Sequence, residues 1–495
     1  MEKYTLAAAR AYEITQAEMI SPQERPVYHL TPMVGWMNDP NGFSYYRGEY
    51  HLFYQYHPYR TAWDAMHWGH AVSKDLVHWT YLPAVMAPDQ PYDHLGCFSG
   101  TAEELTDGRQ LLIYTGVYRN AEGEERQAQC VSVGDGREYV KFACNPVISE
   151  ETLPEELSRK DFRDPKIWRT EDGRYRCVLG ACTQKENLGV IMQYESSDGF
   201  HWRAIGELAR NDGSHGRMWE CPDFFSLDGR QALCVSPQDM LPEELKYNCG
   251  NGTVFFVGDL NEDGTKFLFD TDQPVDYGMD FYAPQTLVTP DGRRVMIAWM
   301  QNWDTTGHSD EPDIRWYGQM TVARELHIRD GKLIQNPVRE LEVLRTEHVS
   351  YRQMVIEGKR AFAGIEGRCV DLELEIDAED KTRMYERFEI CVAENKEFRT
   401  VIRYQAGESI LTLDRTYCGS RRNFVHQRSC RVAKRAGKLK LRILLDRFSV
   451  EVFANDGEQA MTAVLRTDIS ATGISFCAFG SVQMDIDCYH LDSEA

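Results

Sequence analysis

The chain has 495 residues, more than one ordinary hydrophobic core accommodates, so its length predicts two domains. With 77 acids against 55 bases the formal charge is -22, which argues against a nucleic-acid or anionic-membrane partner and leaves a neutral ligand open. Aromatic residues make up 11% of the chain, a content that favours strands and surfaces on which sugars stack.

The N-terminus, MEKYTLAAARAYEITQ, has no basic segment followed by an apolar one, and no 18-residue apolar stretch occurs anywhere. The 14 Cys are dispersed, often in strand-like runs such as RYRCVLGAC, with no CxxC and no Cys/His cluster at zinc spacing. Reduced thiols in a cytoplasmic protein, with no metal and no cofactor, are the expectation.

At 36–42 the chain reads WMNDPNG, a string rich in turn formers that also carries a carboxylate, Asp39. It is expected to be a turn that holds Asp39 rigid. Nine residues after Asp39 comes Gly48 between strand-like runs, and the same offset joins Ser99 to Gly108, Asp164 to Gly173, Glu220 to Gly229 and Ala283 to Gly292. Four of the five glycines follow Asp, and Asp-Gly between strand-like segments is a strong hairpin signal. Five units of about 60 residues, each a set of antiparallel strands, predict a five-bladed β-propeller. If each unit begins at its innermost strand, Asp39, Ser99, Asp164, Glu220 and Ala283 ring one mouth of the central channel. Three of those five are acids, and mutual repulsion in a recess is a cost that structure alone does not require.

All ten Trp lie at or before Trp316. Beyond residue 340, alternating runs such as CVDLELEID and LKLRILLDRFSVEVFAND predict an antiparallel sandwich without an acid cluster. The predicted organisation is all-β: a propeller with an N-terminal extension over 1–339, a linker over 340–349 and a β-sandwich over 350–495. The sequence leaves open a homo-oligomer built through the second domain.

Two carboxyl groups can hydrolyse a glycosidic bond with retention when close, or with inversion when wider apart, and a third can grip hydroxyls. Aromatic faces at Trp36, Trp63, Trp68, Phe98, Trp219, Tyr282 and Trp299, with polar groups at Asn38, Gln55 and Arg163, suit a sugar substrate. Singly, each Trp is better explained as core and Asp39 as a turn cap. The shared register of the three acids is what those readings leave unexplained. An inverting propeller glycosidase acting on arabinan or xylan, and a non-catalytic carbohydrate-binding propeller, remain as alternatives at this level.

WMNDPNG, FRDP at 162–165 and WECPD at 219–223 resemble the signature blocks of glycoside hydrolase family 32, the β-fructofuranosidases, as do YHLFYQYHP, MHWGHAVSKDLVHW, GCFSG and DFYAPQT. The resemblance extends to LDRFSVEVFANDG near the C-terminus and implies a propeller followed by a sandwich. It implies Asp39 as nucleophile, Glu220 as general acid/base and Asp164 as the residue that holds fructosyl hydroxyls. It also implies fructose binding by Asn38, Gln55, Trp63, Phe98, Ser99, Arg163, Tyr282 and Trp299. The expected reaction is retaining release of terminal fructosyl residues from sucrose, sucrose 6-phosphate or short fructo-oligosaccharides. Arg60, Arg119 and Arg217 are candidates for reading a phosphate.

Overall fold

A computed structural model describes residues 4–306, 314–379, 384–419 and 425–492. Five four-stranded antiparallel units follow one another, with inner strands Gly35–Tyr46, Gly96–Glu104, Leu157–Arg169, Trp219–Leu227 and Tyr282–Val288. These are the five blades of a propeller. The hairpin glycines expected after each inner strand have φ of +86° (Gly48), +80° (Gly108), +83° (Gly173), +80° (Gly229) and +87° (Gly292). A Cβ at Gly48, Gly108, Gly229 or Gly292 would meet nothing within 4 Å, so backbone conformation rather than crowding selects glycine there. The fifth blade supplies all four of its own strands. The ring is joined between first and last blades by a short parallel bridge, Gly35 opposite Trp316 and Trp36 opposite Tyr317.

WMNDPNG is not a turn. It lies within the continuous strand Gly35–Tyr46, which is irregular twice, between Met37 and Pro40 and between Asn41 and Ser44. Bulges tolerate Pro because they leave a residue out of the hydrogen-bond ladder, which is how a turn-like composition sits in a strand. Equivalent irregularities interrupt the inner strand of every blade: at Ser99, at Asp164–Pro165, at Cys221–Pro222 and at Ala283–Pro284.

Before the first blade, helix Leu6–Ala17 packs on the outer strand Trp79–Met86, and buried Glu13 accepts a hydrogen bond from the Ala84 amide at 2.9 Å. After the fifth blade, a 3₁₀ helix spans Arg339–Leu344 and strand Arg345–Arg360 begins directly. That strand pairs along most of its length with Gly473–Leu491. The first half of Gly473–Leu491 pairs with Arg387–Glu394 and the second half with Val370–Ala378. One long strand pair therefore bends through both layers of the C-terminal sandwich. Leu372, Ile376, Ile390, Ile443, Phe476 and Ile486 pack in one core between those layers.

Propeller and sandwich meet on buried charge. Arg324, fully buried in the fifth blade, pairs with Asp276 at 3.0 Å and with Glu451 of the sandwich at 2.5 Å. His29 bridges Asp446 and Glu451 at 2.8 and 2.9 Å, and Glu451 also accepts from the Val322 amide at 3.0 Å. Burial opposes a charge on His29, but hydrogen bonds from its ring to the two carboxylates prevail and raise its pKa to about 9. Glu451→Gln should cost about 3–5 kcal/mol in urea unfolding, because it leaves the Arg324 charge short of a partner. His29 binds its proton more tightly folded than unfolded, so its contribution is complete below about pH 6.5 and disappears as pH rises through about 9. The stability difference between wild type and His29→Asn should accordingly shrink between pH 7 and pH 10.

Candidate active site

The bulges decide what faces the channel mouth. Counted to the hairpin turn, Glu220 shares the register of Asp39 and Asp164. Counted to the bulge, it stands one residue earlier, because the fourth blade places Cys221 where its neighbours place Asp164 and Ala283. Asp164, Cys221 and Ala283 all have left-handed backbones, with φ of +65°, +48° and +50°. Such conformations are costly for residues with side chains and collect at functional sites.

The offset sorts the site into two tiers. In the upper tier Arg163, Glu220 and Tyr282, each the residue before its bulge, form a lateral chain across three blades. Arg163 donates to Glu220 Oε1 at 3.0 and 3.1 Å, and the Tyr282 hydroxyl donates to Glu220 Oε2 at 2.7 Å. In the lower tier Ser99 Oγ donates to Asp39 Oδ2 at 2.7 Å and the Asn38 amide to Asp39 Oδ1 at 3.1 Å. The Cys221 amide donates to Asp164 Oδ2 at 2.9 Å, and the Cys221 thiol lies 3.6 Å from both Asp39 Oδ2 and Asp164 Oδ2.

Burial dominates the proton affinities. It raises Asp39 to about 6, helped by the Glu220 charge and opposed by hydrogen bonds from Ser99 and Asn38. It raises Asp164 to about 7, with Arg163 opposing and Glu220 adding. Asp39 and Asp164 therefore keep their protons into the weakly acidic to neutral range.

A cavity of about 590 Å³ opens over this cluster. Asn38, Asp39, Gln55, Trp63, Phe98, Ser99, Arg163, Asp164 and Glu220 all line it. Trp63 is 45% exposed at the rim, edge-on to Phe98 at 5.9 Å. Tyr282 stands behind Glu220 and is 1% exposed. Trp299 is completely buried, packed against Trp36 and Trp303 at 6.0 and 5.0 Å, so it supports the floor and does not reach the cavity. Trp68 and Trp219 are likewise core. Sequence reasoning missed Trp303, Gln127, Gln238 and Asn251 on the walls, along with the charged Glu125, Lys160, Asp161 and Asp239. Trp303, Gln238 and Asn251 arrive on irregular segments, where no periodicity marks them. Arg60, Arg119 and Arg217 lie outside the lining, next to Asp64, the Gly123 carbonyl and the Glu186 carbonyl.

The glycosyl hydrolases family 32 N-terminal domain model matches residues 29–337, and the family 32 C-terminal model matches residues 340–490. A sucrose-6-phosphate hydrolase of Escherichia coli is 37% identical, with 88% of each chain covered. A raffinose invertase of Escherichia coli is 35% identical, with 92% of each covered. The solved structure of a family 32 β-fructofuranosidase from Bombyx mori superposes with a TM-score of 0.84 at 32% identity, covering 98% of both chains.

The Ser99 hydrogen bond favours the ionised form of Asp39, so removing it should raise the Asp39 pKa above about 6. In Ser99→Ala, infrared difference titration should place the Asp39 carboxyl band at higher pH than in wild type. An unmoved band would show that Ser99 does not set this proton.

Proposed function

Since the chain belongs to glycosyl hydrolase family 32, we propose that Asp39 and Glu220 hydrolyse terminal non-reducing β-D-fructofuranosides by double displacement. The protein is a fructosyl-releasing glycoside hydrolase. One observation supports the division of labour best: Asp39 is held by three donors suited to an anion, while Glu220 lines the same cavity, fixed from both sides by Arg163 and Tyr282.

In the first step an Asp39 oxygen bonds to the anomeric carbon as the glycosidic C–O bond breaks, and a proton passes from Glu220 to the departing oxygen. In the second, Glu220 takes a proton from water while the water oxygen bonds to the anomeric carbon and the Asp39 ester breaks. Asp164, anchored by the Cys221 amide, holds ring hydroxyls, and Trp63 and Phe98 provide apolar faces for the sugar. The alternatives need a different pair of roles: an inverting enzyme would use Asp39 only to activate water, and a binding protein would release no sugar.

We infer that neutral saccharides, sucrose and short fructo-oligosaccharides, are preferred over sucrose 6-phosphate. Glu125, Asp161 and Asp239 join the three inner carboxylates on the cavity wall, against Lys160 and an Arg163 already engaged with Asp161 and Glu220. An anionic substrate would enter against that field. The fourteen Cys are unpaired and ten are buried, which supports a reducing, cytoplasmic setting. No helix among the described residues is long and apolar enough to cross a membrane.

Asp39→Asn should abolish hydrolysis while sugar binding persists in calorimetry. With methanol present, wild type should form methyl β-D-fructofuranoside with the substrate's configuration, and an inverted or absent transfer product would overturn the double displacement. The wild-type kcat/KM should fall as pH drops through about 6, where Asp39 takes up its proton. kcat/KM for sucrose should exceed that for sucrose 6-phosphate by at least roughly tenfold, a difference of about 1.4 kcal/mol. The reverse preference would refute the charge argument and leave the catalytic roles standing.

A further inference from the structure

The central channel has a second mouth. The far ends of the five inner strands enclose a cavity of about 520 Å³ that shares no lining residue with the active-site cavity. Lys166 lies in its wall, neutralised by Asp223 at 3.1 Å and bound to the Thr286 carbonyl at 2.7 Å.

Arg294 is different. Arg163, Arg324 and Arg415 each end on carboxylates, and Arg368 ends on three backbone carbonyls. Among the described residues Arg294 has no carboxylate within 4 Å. Its guanidinium donates to Thr286 Oγ1 at 3.2 Å and lies over the Phe225 ring at 4.5 Å, while its buried Nε has no hydrogen-bond partner. Burial lowers its pKa, and the more distant Asp223 charge only partly opposes this. An unpaired, partly desolvated guanidinium in a cavity of ligand size is suited to a phosphate group, which the planar fork of Arg grips with two hydrogen bonds.

Other wall groups narrow the class. Arg169 adds a second cation, whereas Glu103 and Glu104 on the same wall disfavour a bare anion and can accept hydroxyl hydrogens. Half-buried Trp168 and exposed Tyr45 offer faces for a ring. The geometry points to a second ligand site at the rear mouth of the propeller, one that takes a sugar monophosphate with its phosphate on Arg294.

Calorimetry with glucose 6-phosphate, glucose and inorganic phosphate tests this, each run with and without saturating fructose to occupy the front cavity. Glucose 6-phosphate should bind whether or not fructose is present, and more tightly than inorganic phosphate. Arg294→Gln should weaken that binding at least tenfold and leave kcat on sucrose within about twofold of wild type. Arg294→Lys keeps the charge without the fork and should also bind more weakly, which covers the case of a poorly folded Gln variant. The proposal fails if wild type shows no glucose 6-phosphate binding with fructose present, or if both variants bind as wild type does.

Discussion

Everything at the front of this propeller depends on five inner strands losing their ladder at one level. A regular strand turns alternate side chains to opposite faces, so neighbouring residues could not both serve a channel mouth. A bulge breaks that alternation and re-aims the chain. Here Asn38 and Asp39, Phe98 and Ser99, and Arg163 and Asp164 are consecutive pairs, and both members of each line one cavity. The Pro residues that follow Asp39, Asp164, Cys221 and Ala283 suit this break, since none has an N–H that a ladder would leave stranded.

That geometry explains how three acids are kept together. Asp39 and Asp164 are buried and cannot rely on water, so fixed donors replace it: a serine hydroxyl and an amide side chain for one, a backbone N–H for the other. Arg163 reaches Asp161 and Glu220 and comes within 4.0 Å of Asp164, a single cation spread over three anions. Compensation is incomplete, as the raised proton affinities of Asp39 and Asp164 indicate. The remaining imbalance keeps these two carboxyls protonated to higher pH than they would be in water.

Much of this was legible in the chain. Glycines nine residues beyond a common register predicted blade number and hairpin position, because a turn that needs positive φ restricts its residue types severely. Nine of the expected polar and aromatic residues line the cavity. The one-residue offset of Glu220 was not legible, since spacing to a turn says nothing of where an intervening strand bulges. Trp299 illustrates a second limit: an aromatic in the right strand can face the floor as readily as the ligand. The pairing of His29 with Asp446 and Glu451 joins positions more than 400 residues apart, and no local pattern announces it. Alternation in the C-terminal domain predicted strands but could not reveal one strand pair running through both layers.

The contact between propeller and sandwich also bears on how separable the two modules are. Arg324 and Asp276 belong to one and Glu451 to the other, while His29 precedes the first blade yet ends on two sandwich acids. A chimera joined at the connector near residue 340 would bring together halves whose buried charges had not been matched. The smallest exchangeable part is thus the sandwich together with the complementary groups at positions 29, 276 and 324. In engineering terms the boundary of the module runs through the charge network, not through the linker.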